Sequence, residues 1–310
     1  MRPTAPLFRI GGAPSWRALF VLLLLALCAA PAWASRHVVI VSVDGLRPDV
    51  ALRAKMPAFR SLMDRGSFSM YAMTTDVAIT LPSHTSMLTG VTPLKHGIHY
   101  NSDPRPVDPP APAWPTIFEV AHRAGLSTAL CAGKSKFSVL AQPGTLDSVL
   151  VPPPGSAYSD SLVASRAVRW IRRMRPDLLF VHLPSLDAVG HSRKWGSREQ
   201  VAAAELCDRE LGRVLNAIRA AGLEDSTLVI LSTDHGGAGT THGGLDARSR
   251  LIPWVAAGPG VKRDFDLAQI QDLQVHTEDT FATAAAWLGL TLPRPVDGRA
   301  VTEIHEPAPR

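Results

Sequence analysis

Three apolar runs in this chain each deliver an aspartate at their far end. HVVIVSV runs into Asp44, DLLFVHLPSL into Asp187 and TLVILST into Asp234. Two of the three stand close to histidines. In Asp187-Ala188-Val189-Gly190-His191 the i, i+4 spacing puts both side chains on one face of a helical turn. In Asp234-His235-Gly236-Gly237, followed by Thr241-His242-Gly243-Gly244, a third donor comes a few residues after the first pair, and the glycines let the backbone turn sharply. Carboxylate oxygens and imidazole nitrogens are donors that a divalent metal takes. Either pair alone reads equally well as a helix cap or a hydrogen-bonded polar group. Together Asp44, Asp187, His191, Asp234, His235 and His242 provide six donors, a number that suits two metal ions rather than one. Imidazole mixed with carboxylate favours zinc, with manganese, iron or cobalt as poorer fits. Two such ions side by side can stabilise both the attacking and the leaving oxygen of a displacement at phosphorus.

Such a centre needs a nucleophile, and Ala78-Ile79-Thr80-Leu81-Pro82-Ser83-His84-Thr85 offers one. Pro82 fits the first turn of a helix, and Thr80 stands just before it. Local sequence alone makes Thr80 a simple N-cap. A phosphoryl group docked there would meet the unpaired N–H groups of the helix start, and a neighbouring cation would favour the alkoxide, so that no separate general base is required.

The elements that must position these residues are legible as short β-branched runs alternating with helical segments, the mark of an α/β domain around a mostly parallel sheet. Strands are expected at 37–43, 127–132, 177–183, 227–232 and 251–256. Helices are expected at 57–65, 83–89, 115–123, 159–174, 198–221 and 278–288. Ligands of open α/β sheets bind beyond the carboxyl ends of the strands, which is where Asp44, Asp187 and Asp234 fall. There are no internal repeats. The proline-rich stretches 104–115 and 152–154 read as surface loops because periodic segments resume on both sides, so residues 35–310 are expected to form a single catalytic domain.

The first 34 residues differ from the rest. Arg2, Arg9 and Arg17 precede the apolar run ALFVLLLLALCAA, and Ala32-Trp33-Ala34 has the form of a cleavage site. This is a secretory signal peptide in outline, and the mature chain is expected in the periplasm or secreted, without a stable membrane anchor. Cys28 lies in that leader, which leaves Cys131 and Cys207 as either one disulfide or two separate buried thiols. The net charge of +5 comes partly from the leader, and the remaining excess is scattered. The densest cluster, Arg172, Arg173 and Arg175, sits where the end of a helix favours cations. That balance suits a small anionic substrate better than a nucleic-acid polymer.

The same residues carry a family resemblance. The chain resembles the alkaline phosphatase superfamily, and within it the type I phosphodiesterase and nucleotide pyrophosphatase branch. The motifs are VDGLRPD around Asp44, ITLPSHTSMLTGVTPLKHGI around Thr80, DAVGH, STDHGG, and THGG leading into IPWVAAGPG; the match extends to Asp297-Gly298-Arg299. The resemblance implies a three-layer sandwich with a mostly parallel central sheet between helices. It implies that Asp44, Thr80, Asp234 and His235 hold one zinc and Asp187, His191 and His242 the other. It further implies double displacement through a threonyl-phosphate intermediate on Thr80, with Asn101 hydrogen-bonding a non-bridging phosphate oxygen. The spacing of His242 departs from many nucleotide pyrophosphatases, in which the corresponding histidine comes far later in the chain.

Related branches differ at the nucleophile. Sulfatases use a cysteine or serine in C/S-x-P-x-R, where this chain has Thr80-Leu81-Pro82-Ser83-His84. Alkaline phosphatases proper use serine and an additional magnesium site, for which no separate acidic cluster is present. Phosphonoacetate hydrolases share the threonine and place two lysines near the substrate carboxylate, a spacing that Lys134 and Lys136 in CAGKSKF match. Phosphodiester hydrolysis is therefore the leading expectation. Phosphonoacetate hydrolysis, phosphomonoester hydrolysis and metal binding without turnover are the alternatives.

Overall fold

Every residue of the strand β1 (His37–Val43) is buried, as a strand covered on both faces must be. Its side chains alternate between two cores. Val39, Val41 and Val43 pack into one, and Val38 and Ile40 into the other. The computed structural model describes Met1 and residues 36–306, apart from 106 and 109. Met1 apart, the expected leader lies outside the described residues. No described helix is long and apolar enough to cross a membrane.

Among the described residues eight strands form one sheet. They are β1, β2 (Gly66–Met73), β3 (Thr128–Ala132), β4 (Ser148–Leu150), β5 (Leu178–Leu183), β6 (Thr227–Ser232), β7 (Leu251–Ala257) and β8 (Phe265–Asp266), in the order β4-β3-β5-β1-β6-β7-β2-β8. All neighbours pair in parallel except at β7, which runs against both β6 and β2. The fold is the expected α/β sandwich with a mostly parallel sheet. Three strands beyond those expected are present. β2 reads GSFSMYAM, without a β-branched residue, and its two aromatic strand formers, Phe68 and Tyr71, stand among small residues that give little signal. β4 and β8 are edge strands of three and two residues.

The helices are α1 (Pro48–Arg53), α2 (Pro57–Asp64), α3 (Thr80–Thr89), α4 (Pro93–His96), α5 (Ile117–Arg123), α6 (Asp160–Arg173), α7 (Ser185–Arg193), α8 (Arg198–Ala220), α9 (Ala247–Arg250) and α10 (Asp279–Trp287). Side chains from α1, α2, α6 and α8 share the core of Val39 and Val41, and those from α3, α5 and α10 share the core of Val38 and Ile40. Ser159, Ser197 and Thr116 cap α6, α8 and α5 by accepting from backbone N–H groups, which accounts for where those helices begin. All ten residues of α3 are buried. A helix with no solvent face is unusual for a segment rich in serine and threonine; Ser83 donates to the Asp234 carbonyl, His84 pairs with Ser42, and Thr85 and Thr89 donate to carbonyls one turn back in the same helix.

Candidate metal centre and nucleophile

The carboxyl ends of β1 and β6 and the start of α7 bring Asp44, Asp234 and Asp187 into one buried pocket, where each is at most 4% exposed. In each carboxylate one oxygen is engaged by the protein. Asp44 Oδ2 accepts from His182 Nε2 at 2.8 Å and faces Lys134 Nζ at 2.6 Å. Asp187 Oδ2 accepts from the same ammonium at 2.6 Å. Asp234 Oδ1 accepts from the Gly45 N–H and the Thr233 hydroxyl, both at 3.2 Å. The second oxygen of each has no hydrogen-bond partner: Asp44 Oδ1, Asp187 Oδ1 and Asp234 Oδ2 are half of the six such buried side-chain atoms among the described residues. A buried carboxylate oxygen left unpaired costs on the order of 1–3 kcal/mol or more. Three of them converging in one pocket call for a cation.

The histidines complete the arrangement. Nδ1 of His235, His242 and His191 lies 2.8, 3.0 and 2.9 Å from the carbonyl oxygens of Gly236, Ala78 and Thr240. A carbonyl only accepts, so Nδ1 carries hydrogen in all three rings and Nε2 is the atom turned toward the carboxylates, the usual way a protein orients metal-binding imidazoles. His235 Nε2 lies 3.1 Å from Asp234 Oδ2 and 3.6 Å from Asp44 Oδ1. His191 Nε2 and His242 Nε2 lie 3.4 and 3.7 Å from Asp187 Oδ1 and 3.2 Å from each other. The donor atoms of Asp44, Asp234 and His235 lie within 4.8 Å of one another, as do those of Asp187, His235 and His242. The unpaired oxygens therefore divide between two adjoining groups, with His235 in reach of both. His242 joins the site through its ring as well, stacked 3.6 Å from that of His235.

Charge follows the same geometry. Burial alone would lower the pKa of His235, but the carboxylates of Asp234, Asp44 and Asp187 outweigh it and raise the value to about 9. Burial works against the Lys134 ammonium too, and Asp44, Asp187 and Asp234 raise its pKa nonetheless. The pocket thus favours positive charge strongly, and its oxygen and imidazole donors fit a pair of divalent metal ions.

Thr80 is the first residue of α3, three residues earlier than the helix start expected from Pro82. Ile79 is the N-cap, no side chain caps the helix, and Pro82 remains within the first turn. The Thr80 hydroxyl, 1% exposed, is thereby free of the capping role that local sequence gave it. Its Oγ1 lies 3.3 Å from His235 Nε2 and 3.4 Å from Lys134 Nζ. Asn101 Oδ1 accepts from the Leu81 N–H at 2.9 Å and from Lys136 Nζ at 3.1 Å. Two donors on one atom identify it as the carbonyl oxygen, which leaves the Nδ2 amide as a donor. Lys136 also donates to the Asn101 backbone carbonyl. The two lysines expected near substrate therefore have different partners: Lys134 sits among the carboxylates and Lys136 holds Asn101.

Two residues that sequence reasoning passed over help to build the site. Trp195, 6% exposed, donates from Nε1 to the Gly45 carbonyl at 3.0 Å. Its ring fills space that only glycine leaves open, since a Cβ on Gly190 or Gly237 would come within 2.6 or 2.4 Å of it. One indole thus packs the turns that follow Asp44 and His235 against the helix that carries His191. A lone tryptophan between Lys194 and Gly196 is the signal that could have found it. His182, the last residue but one of β5, lies against Asp44, and an imidazole inside an apolar run is the signal that could have found it. Cys131 and Cys207 are both buried and unbonded, so of the two readings the structure has separate thiols.

An α/β sheet whose carboxyl edge gathers paired carboxylates and imidazoles beside a threonine at a helix start defines a class of metal-dependent phosphoryl hydrolases. Comparison with known proteins narrows this. The family model for type I phosphodiesterase / nucleotide pyrophosphatase matches residues 38–254, and the chain belongs to that family. An uncharacterized pyrophosphatase/phosphodiesterase of Schizosaccharomyces pombe is 25% identical over 279 residues, covering 81% of this chain and 57% of the relative. The bis(5'-adenosyl)-triphosphatase enpp4 of Xenopus laevis is 25% identical, covering 64% of this chain and 46% of the relative. The chain spans about half the length of these curated relatives. Among solved structures, murine ectonucleotide pyrophosphatase / phosphodiesterase 5, in an inactive threonine-to-alanine form with AMP, superposes with a TM-score of 0.73 at 15% identity, over 87% of this chain and all of that one. A putative sulfatase from Bacteroides thetaiotaomicron gives 0.67 at 15% identity, over 86% of this chain and 74% of that one. The shared fold is the alkaline-phosphatase-like one.

Proposed function

We propose that this chain is an exported phosphodiesterase that works through a phosphorylated Thr80 and two zinc ions, with residues 35–310 as its single catalytic domain. The observation that carries the reading is the division of the three unpaired carboxylate oxygens between two adjoining donor groups that share His235, with the Thr80 hydroxyl 3.3 Å from that imidazole. Asp44, Thr80, Asp234 and His235 would hold one ion, and Asp187, His191 and His242 the other. Bound there, the two ions would supply Lewis acidity toward the phosphoryl oxygens and the leaving group. Export rests on the leader-like residues 1–34.

The side chains divide the work. Thr80 Oγ gives up its proton to solvent and forms a bond to phosphorus as the bond to the leaving alcohol oxygen breaks and that oxygen takes up a proton; water then cleaves the threonyl phosphoester, returning the hydroxyl and releasing the remaining monoester. Lys134, 3.4 Å from Oγ1, favours negative charge on that oxygen during both steps. The Asn101 amide, its own oxygen held by Leu81 and Lys136, donates to a non-bridging oxygen. A phosphate there also meets the start of α3. The inactive threonine-to-alanine form of the murine neighbour supports the role of Thr80.

Small phosphodiesters, among them nucleotide esters, are the substrate class this reading favours, with phosphoanhydrides, in which a phosphate oxygen leaves in place of the alcohol, beside them; the Xenopus relative is a bis(5'-adenosyl)-triphosphatase. Phosphonoacetate fits less well because both lysines are already committed, Lys134 to two aspartates and Lys136 to Asn101. The test sets bis-p-nitrophenyl phosphate, p-nitrophenyl phosphate and phosphonoacetate side by side with the metal-loaded enzyme. The diester is expected to turn over fastest, and acid quenching to trap its p-nitrophenyl phosphoryl group on Thr80. Thr80→Ala should keep its metal and lose most turnover; wild-type rates in that variant, or phosphonoacetate as the best substrate, overturn the proposal.

A further inference from the structure

We infer that His182 is the residue that positions Asp44 for metal binding and ties it to the Gly133-Lys134 turn, an inference that rests on the two-metal reading above. β5 lies between β3 and β1, and His182 is in register with Ala132 on one side and Ser42 on the other. Leu178 and Phe180, on the same face of β5, belong to the core that α3 covers. The alternation therefore asks for another apolar residue at 182. An imidazole stands there instead, fully buried, with its ring 4.3 Å from that of Phe137 and 5.0 Å from that of His84.

A polar ring in such surroundings must satisfy both nitrogens. It does so across both neighbouring strands. The Gly133 N–H donates to Nδ1 at 3.2 Å, which makes Nδ1 the acceptor and assigns the hydrogen to Nε2. Nε2 then donates to Asp44 Oδ2 at 2.8 Å. The chain of donors runs one way, from the backbone of the lysine turn through the ring to the carboxylate. Lys134 reaches the same oxygen, but on a flexible four-carbon stem and from a partly exposed position. The imidazole is fixed in the core, so it sets the rotation of the carboxylate. With Oδ2 engaged, Oδ1 is left unpaired and directed to the side of His235. Among the described residues no hydrogen bond or ion pair joins His182 to Thr80 or Asp187, so it acts through Asp44 and is a positioning residue.

The experiment compares wild type, His182→Leu and His182→Gln. Each protein is stripped, and zinc affinity for both sites is measured by competition with a chromophoric chelator, with stoichiometry by elemental analysis and melting curves of the metal-free proteins. Leucine keeps the volume and removes the donor; glutamine keeps one donor and one acceptor at about the reach of the ring. His182→Leu is expected to weaken one of the two ions by about 10- to 100-fold and leave the other unchanged. His182→Gln should recover most of that loss. Wild-type affinity at both sites in a folded His182→Leu protein overturns the inference. So does an equal loss in both variants that tracks lowered melting of the metal-free protein, which would mark a merely structural role. A wild-type protein that binds no divalent ion overturns the two-metal reading itself, and that result is seen before either variant is measured.

Discussion

Asn101 offers a separation of structure from chemistry at one side chain. Its oxygen is held by the Leu81 N–H at 2.9 Å and Lys136 Nζ at 3.1 Å, so only its amide hydrogens are available to substrate. Asn101→Asp keeps an oxygen in the first role, strengthens it with charge, and replaces the donor by an acceptor that faces the phosphoryl oxygens. Asn101→Ala removes both functions. Loss of one preorganised donor at a developing negative charge costs about 2.7–4 kcal/mol of activation free energy, or roughly 10²–10³ in kcat. Loss of the contact to a helix-start N–H costs about 1 kcal/mol of stability. The aspartate variant should therefore lose at least the first amount in turnover of bis-p-nitrophenyl phosphate while melting at or near the wild-type temperature. The alanine variant should lose a similar factor in turnover and also melt lower. Turnover in Asn101→Asp within about threefold of wild type, under saturating substrate, would refute the assignment of Nδ2 to the phosphoryl group.

Metal analysis of the purified enzyme should find two ions per chain, and His242→Ala should weaken one while leaving the other in place under chelator competition; loss of neither ion would separate His242 from the centre. A pH effect is expected away from the site. Glu278 is 6% exposed, and burial, with Asp279, Asp297 and Asp76 close by, raises its pKa from the ordinary 4.5 to about 7. A carboxyl shifted upward is unopposed below its unfolded value, and its cost sets in as pH rises through 4.5 and is complete above about 7, where it amounts to roughly 3 kcal/mol at most. Glu278→Gln should thus raise stability against urea at pH 8 by up to that amount and change little at pH 4.5, and equal effects at the two pH values would contradict the shift.

The strand-end aspartates and their histidines could be read from the chain because a buried parallel strand is a continuous apolar run, and whatever polar residue follows it must lie at the sheet edge. The fold class was legible for the same reason. What escaped were elements whose residues carry no periodic signal, such as β2, and contacts that only neighbours in space define. Trp195 between Gly190 and Gly237 is one. His182 between Gly133 and Asp44 is another.

The sequence by itself determined that carboxylates and imidazoles would meet beyond one sheet edge, and that Thr80 would stand at a helix start. Whether that threonine capped the helix or faced the site was decided by the helix beginning one residue after Ile79, which moved the cap off Thr80. The place of His242 was decided by β7. Because that strand runs against β6, the connection from Ser232 to Leu251 begins and ends at the carboxyl edge and needs no crossover, so a histidine only eight residues beyond Asp234 returns to stack on His235. The different partners of Lys134 and Lys136 were likewise decided by tertiary structure. Two lysines two positions apart project differently from the turn after β3, and one meets the charge of Asp44 and Asp187 while the other meets the Asn101 oxygen.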